Sequence, residues 1–126
     1  METFEFNGFN QYKMDVFRLT ILSYSFDLFT VDYMCSLLNC LKVEVSMLKW
    51  SDEDFNRLLK FWMGSNGRLR SVVLFNNKKM RSDIVMREIN RRELIPNEAF
   101  EIRRNDGLKA KVTLDRKIFY LEVINT

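Results

Sequence analysis

Residues 41–75 read LKVEVSMLKWSDEDFNRLLKFWMGSNGRLRSVVLF, and three segments within that stretch decide the fold. Leu41-Lys42-Val43-Glu44-Val45-Ser46-Met47 alternates apolar with polar residues at period two, which predicts a strand with one buried face. Ser51-Asp52-Glu53-Asp54 then offers an N-cap oxygen and three carboxylates for the positive end of a helix. Phe55, Leu58, Leu59 and Trp62 follow at i, i+3, i+4 and i+7, a single apolar stripe. Gly64, with Ser65-Asn66-Gly67 behind it, stops the helix. Leu69-Arg70-Ser71-Val72-Val73-Leu74-Phe75 reads as the next strand. A helix between two strands is a connection long enough to make them parallel neighbours with a right-handed crossover.

Outward from this unit, Val16-Phe17-Arg18-Leu19-Thr20-Ile21-Leu22 predicts an earlier strand. A short helix follows, with Thr30 as N-cap, Asp32 in the first turn, and Val31, Met34, Cys35 and Leu38 at helical spacing. Val16-x-x-Leu19-x-Ile21, Cys40-x-x-Val43-x-Val45 and Leu69-x-x-Val72-x-Leu74 align in phase, the last continuing x-x-Asn77. Their separation falls within the roughly 20–29 residues of leucine-rich repeats. Arg81 to Arg92 reads as a helix with Ser82 at its N-cap, ended by Pro96. Ala99–Arg104, Leu108–Leu114 and Ile118–Ile124 are strands joined by turns at Asn105-Asp106-Gly107 and Asp115-Arg116, with Phe119, Leu121 and Val123 as an inner row. The expected fold is therefore α/β. Two leucine-rich-repeat-like parallel strand–helix units (16–78) precede a helix and connector (79–97) and a three-stranded antiparallel β-meander (98–126). Residues 1–15 form an N-terminal extension of the same single domain.

Composition excludes much chemistry. The 126 residues contain no His, which removes histidine-based nucleophile systems and histidine metal sites. Cys35 and Cys40 form no CxxC pair and read as reduced, half-buried thiols. Asp52, Glu53 and Asp54 are consecutive, so on a helix they fan out over about 200 degrees and do not converge on one atom. Lys78-Lys79 beside Asn76-Asn77 lacks the Gly-rich run and Gly-Lys-Ser/Thr of a phosphate loop. No enzyme, cofactor or metal is expected, and Trp50 and Trp62 read as core anchors. No uncharged run reaches the roughly 18 residues of a membrane span. The opening METFEFNGFNQYKM has no apolar core of a signal peptide, so an intracellular protein, cytoplasmic or nuclear, is expected. Residues 1–67 hold six Lys/Arg against nine Asp/Glu, whereas residues 68–126 hold fourteen against eight. That basic half admits an alternative, nucleic-acid or other polyanion binding, but aromatic residues do not interleave with the basic pairs as stacking platforms would.

The chain resembles the F-box associated domain, type 2, of the nematode-expanded F-box proteins. The resemblance rests on Leu38-Asn39-Cys40, on Ser51-Asp52-Glu53-Asp54-Phe55-Asn56-Arg57-Leu58-Leu59-Lys60-Phe61-Trp62, on Gly64-Ser65-Asn66 and Leu69, and on Arg104-Asn105-Asp106-Gly107. The Asn-Arg-Leu-Leu-Lys-x-Trp core is its most specific part, and the family pattern usually has His where Phe61 stands. The resemblance implies a module that holds the target protein of a ubiquitin ligase. It also implies that a Skp1-type adaptor is met only through an F-box. Residues 1–15 are too few for an F-box and lack its Leu-Pro opening.

If Leu19, Ile21, Val43, Val45, Val72 and Leu74 face the helices, the alternate residues form an outer face. Arg18, Thr20 and Leu22, then Lys42, Glu44 and Ser46, then Ser71, Val73 and Phe75 lie on it. Arg18, Thr20, Lys42, Glu44, Ser46, Val73 and Phe75 are the candidate partner-binding residues, since the open face of a repeat stack is its usual binding surface. Packing of the meander over Val73 and Phe75 is the competing explanation for the apolar end of that face.

Overall fold

The computed structural model describes residues 15–20 and 29–124. Strand β1 (Val16–Thr20) precedes helix α1 (Val31–Cys35), β2 (Lys42–Leu48), α2 (Asp52–Met63), β3 (Ser71–Asn76) and α3 (Ser82–Val85). Strands β4 (Arg91–Ile95), β5 (Ala99–Arg103), β6 (Lys109–Asp115) and β7 (Ile118–Val123) complete the chain. One mixed sheet contains all seven described strands, in the order β1-β2-β3-β7-β6-β5-β4. The first three run parallel and every other pairing is antiparallel.

Local chemistry explains the helices between the parallel strands. Thr30 Oγ1 accepts from Tyr33 N at 3.1 Å and starts α1. Ser51 and Asp54 form a reciprocal capping box on α2: Asp54 N donates to Ser51 Oγ at 3.2 Å, and Ser51 N to Asp54 Oδ2 at 2.9 Å. The α2 stripe of Phe55, Leu58, Leu59 and Trp62 is buried, as its spacing predicts.

Aromatic rings link the helix layer to the sheet. Phe17 lies 6.1 Å from Phe29, Phe29 6.1 Å from Trp50, Trp50 5.1 Å from Phe55, and Phe55 5.1 Å from Phe119. Under them run two cross-strand rows. One comprises Phe17, Val43, Val72, Leu121, Val112 and Phe100, and the other Leu19, Val45, Leu74, Phe119 and Leu114. These residues and the inner faces of the helices form one buried core.

The expected α/β repeat architecture is not what forms. The parallel triplet does not end in an open stack with a separate three-stranded meander. Instead β7 pairs antiparallel with β3 and fuses both halves into one mainly β sheet. The physical reason is that the third parallel strand has an unpaired edge, and a strand with the same alternation satisfies it equally well in either direction. Val72 and Leu74 thus continue into Leu121 and Phe119 instead of into another repeat.

The helix expected over 81–92 is also shorter. It covers Ser82–Val85, its N-cap is Arg81, which makes no side-chain capping bond, and Glu88 adopts φ 58, a left-handed conformation that ends helical geometry. The chain then becomes strand β4, so the antiparallel part has four strands. The repeat-like asparagine is Asn76, which is buried, while Asn77 is exposed. Ile21 and Leu22 of the first expected strand, most of the extension at residues 1–15, and the last two residues of the meander fall outside the described residues.

Candidate functional site

Because α1 and α2 cover the inner rows, and α3 packs on α2, the alternate residues of the sheet form a second face. No described helix lies on it. Its rows follow from the register. Val16, Lys42, Ser71, Glu122, Lys111, Glu101 and Arg92 form one, in which charges alternate in sign from Glu122 onward. Opposite charges thus face one another on neighbouring strands, and Arg92 meets Glu101 at 3.0 Å. Arg18, Glu44, Val73, Tyr120 and Thr113 form the next, with Arg18 3.9 Å from Glu44. Phe75 and Ile118 are directly opposed in a third.

The candidate residues whose side chains are described are therefore brought onto one surface, but not into one cluster. Arg18 is exposed, and Lys42, Glu44 and Ser46 are half-buried on β2. Thr20 lies in β1 beside Ser46, and its side chain is outside the described residues. Val73 and Phe75 are half-buried next to Tyr120 and Ile118. The meander extends the sheet beside them instead of lying across them. Tyr120 and Ile118 were missed as members of this face. Their signal was available in the alternation of Ile118–Val123, but not which strand would lie alongside.

The residues that carry the family resemblance build a different feature, a structural node on the helix side. Asn56 Nδ2 donates to Val85 O and Arg87 O, both at 2.9 Å, and so holds the end of α3. Arg57 reaches Asp32 of α1 at 3.3 Å, and Lys60 reaches Glu88 at 3.7 Å. Trp62 is fully buried, with the Arg104 guanidinium 5.3 Å from its ring centre. Arg104 is itself buried. It donates through Nε and a terminal nitrogen to Asp106 at 3.0 and 2.7 Å, and through Nη1 to Gly67 O at 2.9 Å.

The hairpin turn at Arg104–Gly107 is thus a clamp on the end of α2. Gly107 N donates to Arg104 O at 2.9 Å, Gly107 takes φ 94, and Asn105 N donates to Met63 O at 2.9 Å. The paired guanidinium, with a bond from Leu108 N, holds the Asp106 carboxyl below the usual carboxylate range. A depressed carboxyl contributes stability above its unfolded pKa, and that contribution is lost as pH falls through the folded value. The stability difference between wild type and Asp106→Asn is therefore expected to be constant at neutral pH and to shrink as pH drops below about 4. Urea midpoints across pH check this, and a difference independent of pH would sink the clamp.

The two thiols are shifted away from reactivity. Burial pushes the Cys35 thiol up to about 11, with Asp32 adding to the shift, and raises Cys40 as well. Neither thiol is a ready nucleophile at neutral pH. Among the described residues no group of three metal-ligating side chains occurs, and no helix is long and apolar enough to cross a membrane.

A family model described as F-box associated matches residues 9–74, which span β1, α1, β2, α2 and most of β3. No curated protein and no solved structure matches the chain.

Proposed function

The chain belongs to the F-box associated family, and we propose that it is a non-catalytic protein-interaction module, the substrate-recognition part of an SCF-type ubiquitin-ligase F-box protein. The outer sheet face is the surface assigned to the target, with Arg18, Thr20, Lys42, Glu44, Ser46, Val73 and Phe75 as its contact residues. The observation that carries this reading is the one-sided packing of the helices, which leaves a broad face with a half-buried apolar centre. Such a centre with a charged rim is the anatomy of a protein interface.

Adaptor contact is assigned to an F-box and not to this surface. The test is affinity capture with the full chain, with bound proteins identified by mass spectrometry, comparing wild type with Lys42→Glu/Glu44→Lys and with Phe75→Ala. The charge reversals are expected to abolish capture of the wild-type target while the protein keeps its fold, read by far-ultraviolet circular dichroism, because both side chains are half-buried on the outer face and not in the core. Capture of the same target by all variants would refute the outer face as the site. Titration calorimetry of this chain against a Skp1-type adaptor is expected to show no binding, and measurable binding would contradict the division of roles.

A further inference from the structure

At one end of the sheet, hydrogen bonds tie three loops together. Asn77 N donates to Leu48 O at 2.8 Å, Asn76 N to Lys117 O at 2.7 Å, and Met80 N to Arg116 O at 3.0 Å. The buried Asn76 side chain accepts from Trp50 N at 2.8 Å and donates to Trp50 O at 3.1 Å. Buried Asp52 accepts from Arg81 N at 3.2 Å and fixes the far end of the same loop. These bonds place Lys78 and Lys79, after β3, beside Arg116 and Lys117 of the β6–β7 turn.

All four side chains are exposed. Arg116 has Asp115 at 3.9 Å, but Lys78, Lys79 and Lys117 form no ion pair among the described residues. Cations held together on pinned backbone repel one another, and an anion relieves that repulsion. Phe75 and Ile118, adjacent in the chain to Asn76 and Lys117, border the cluster on the outer face. On the turn side, a surface depression of about 340 Å³ is lined by Asp115, Arg116, Lys117 and Ile118.

We infer that this end of the outer face grips the partner, and that the partner segment is an acidic peptide in which Asp or Glu flanks an apolar residue. The inference rests on the protein-interaction reading above and names the chemistry of its target. Lys78, Lys79 and Lys117 receive the carboxylates, and the Phe75–Ile118 pair receives the apolar side chain. A peptide fits better than a nucleic acid because the cations occupy one compact loop cluster instead of a track. The surface beside them is an apolar pair in the sheet, not a row of exposed stacking rings.

A random-peptide display library selected on the immobilised full chain tests this, with the enriched peptide then synthesised for fluorescence anisotropy. Enrichment of Asp/Glu beside apolar residues is expected, with binding weakened about tenfold or more in Lys78→Glu/Lys117→Glu and less so in Lys78→Ala/Lys117→Ala. The control Arg87→Glu/Arg103→Glu, which reverses exposed charges elsewhere, is expected to leave affinity unchanged, and equal loss in it would overturn the site. Enriched peptides without acidic residues, whose binding survives the lysine reversals, would overturn the acidic partner while leaving the interaction reading intact. No enrichment at all would count against both. Displacement of the peptide by a single-stranded oligonucleotide of matched charge, at lower concentration than the peptide itself, would overturn the inference in favour of nucleic acid.

Discussion

Trp62→Ala is expected to lower the free energy of unfolding by about 3–5 kcal/mol, a large share of the 5–15 kcal/mol typical of a domain. The indole is fully buried at the end of the α2 stripe, so truncation removes its apolar surface from the core and leaves a cavity there. One term opposes this. Among the described residues the Trp62 Nε1–H has no acceptor, and a buried orphan donor costs about 1–3 kcal/mol. Deleting the ring relieves that cost but loses more than it recovers, because the ring is also the platform under Arg104. Trp62→Phe separates the two terms. It keeps most of the ring, removes the N–H, and is expected to stay within about 1.5 kcal/mol of wild type. Urea denaturation followed by far-ultraviolet circular dichroism gives both numbers. An unchanged midpoint for Trp62→Ala would show that the stripe does not face the core.

That stripe was legible because helix caps and apolar spacing are local signals, and for α2 they agree. The same holds for the Thr30 cap of α1 and for the Asn105-Asp106-Gly107 turn, where Gly107 takes the positive φ the turn requires. What could not be read was which edges meet. Val72 and Leu74 alternate with Val73 and Phe75 whether the next strand is parallel or antiparallel. The pattern therefore suggested a repeat where a mixed sheet forms. The segment 81–92 failed for another reason. Ile84, Val85 and Ile89 fit a helical face, but Glu88 in the left-handed region breaks it, and Arg91–Ile95 gains hydrogen bonds from β5 instead. The outer face was half legible: β1, β2 and β3 supplied its known residues, whereas Tyr120 and Ile118 depended on the unseen pairing of β3 with β7.

Gly67→Ala is expected to cost about 2–4 kcal/mol, for a reason that turn propensity does not reveal. In sequence Gly67 reads as part of the stop signal after α2. Yet its φ lies outside the left-handed region, so backbone freedom is not what the position requires. A Cβ there would meet Leu38 O at 2.4 Å and Leu38 C at 3.0 Å, and backbone cannot swing aside as a side-chain tip can. Leu38 O is already engaged, accepting from Leu69 N at 2.9 Å just before β3 begins. Moving either chain to admit the methyl group breaks that bond or the one from Arg104 Nη1 to Gly67 O. The two losses are linked, because Arg104 seats both Gly67 and Trp62. In a double-mutant cycle, Gly67→Ala and Arg104→Ala are therefore expected to be less than additive, with a coupling of about 0.5 kcal/mol or more. Additive costs would mean that the methyl group is absorbed at Leu38 without disturbing the clamp. A stable Gly67→Ala protein with a wild-type urea midpoint would contradict the close approach itself.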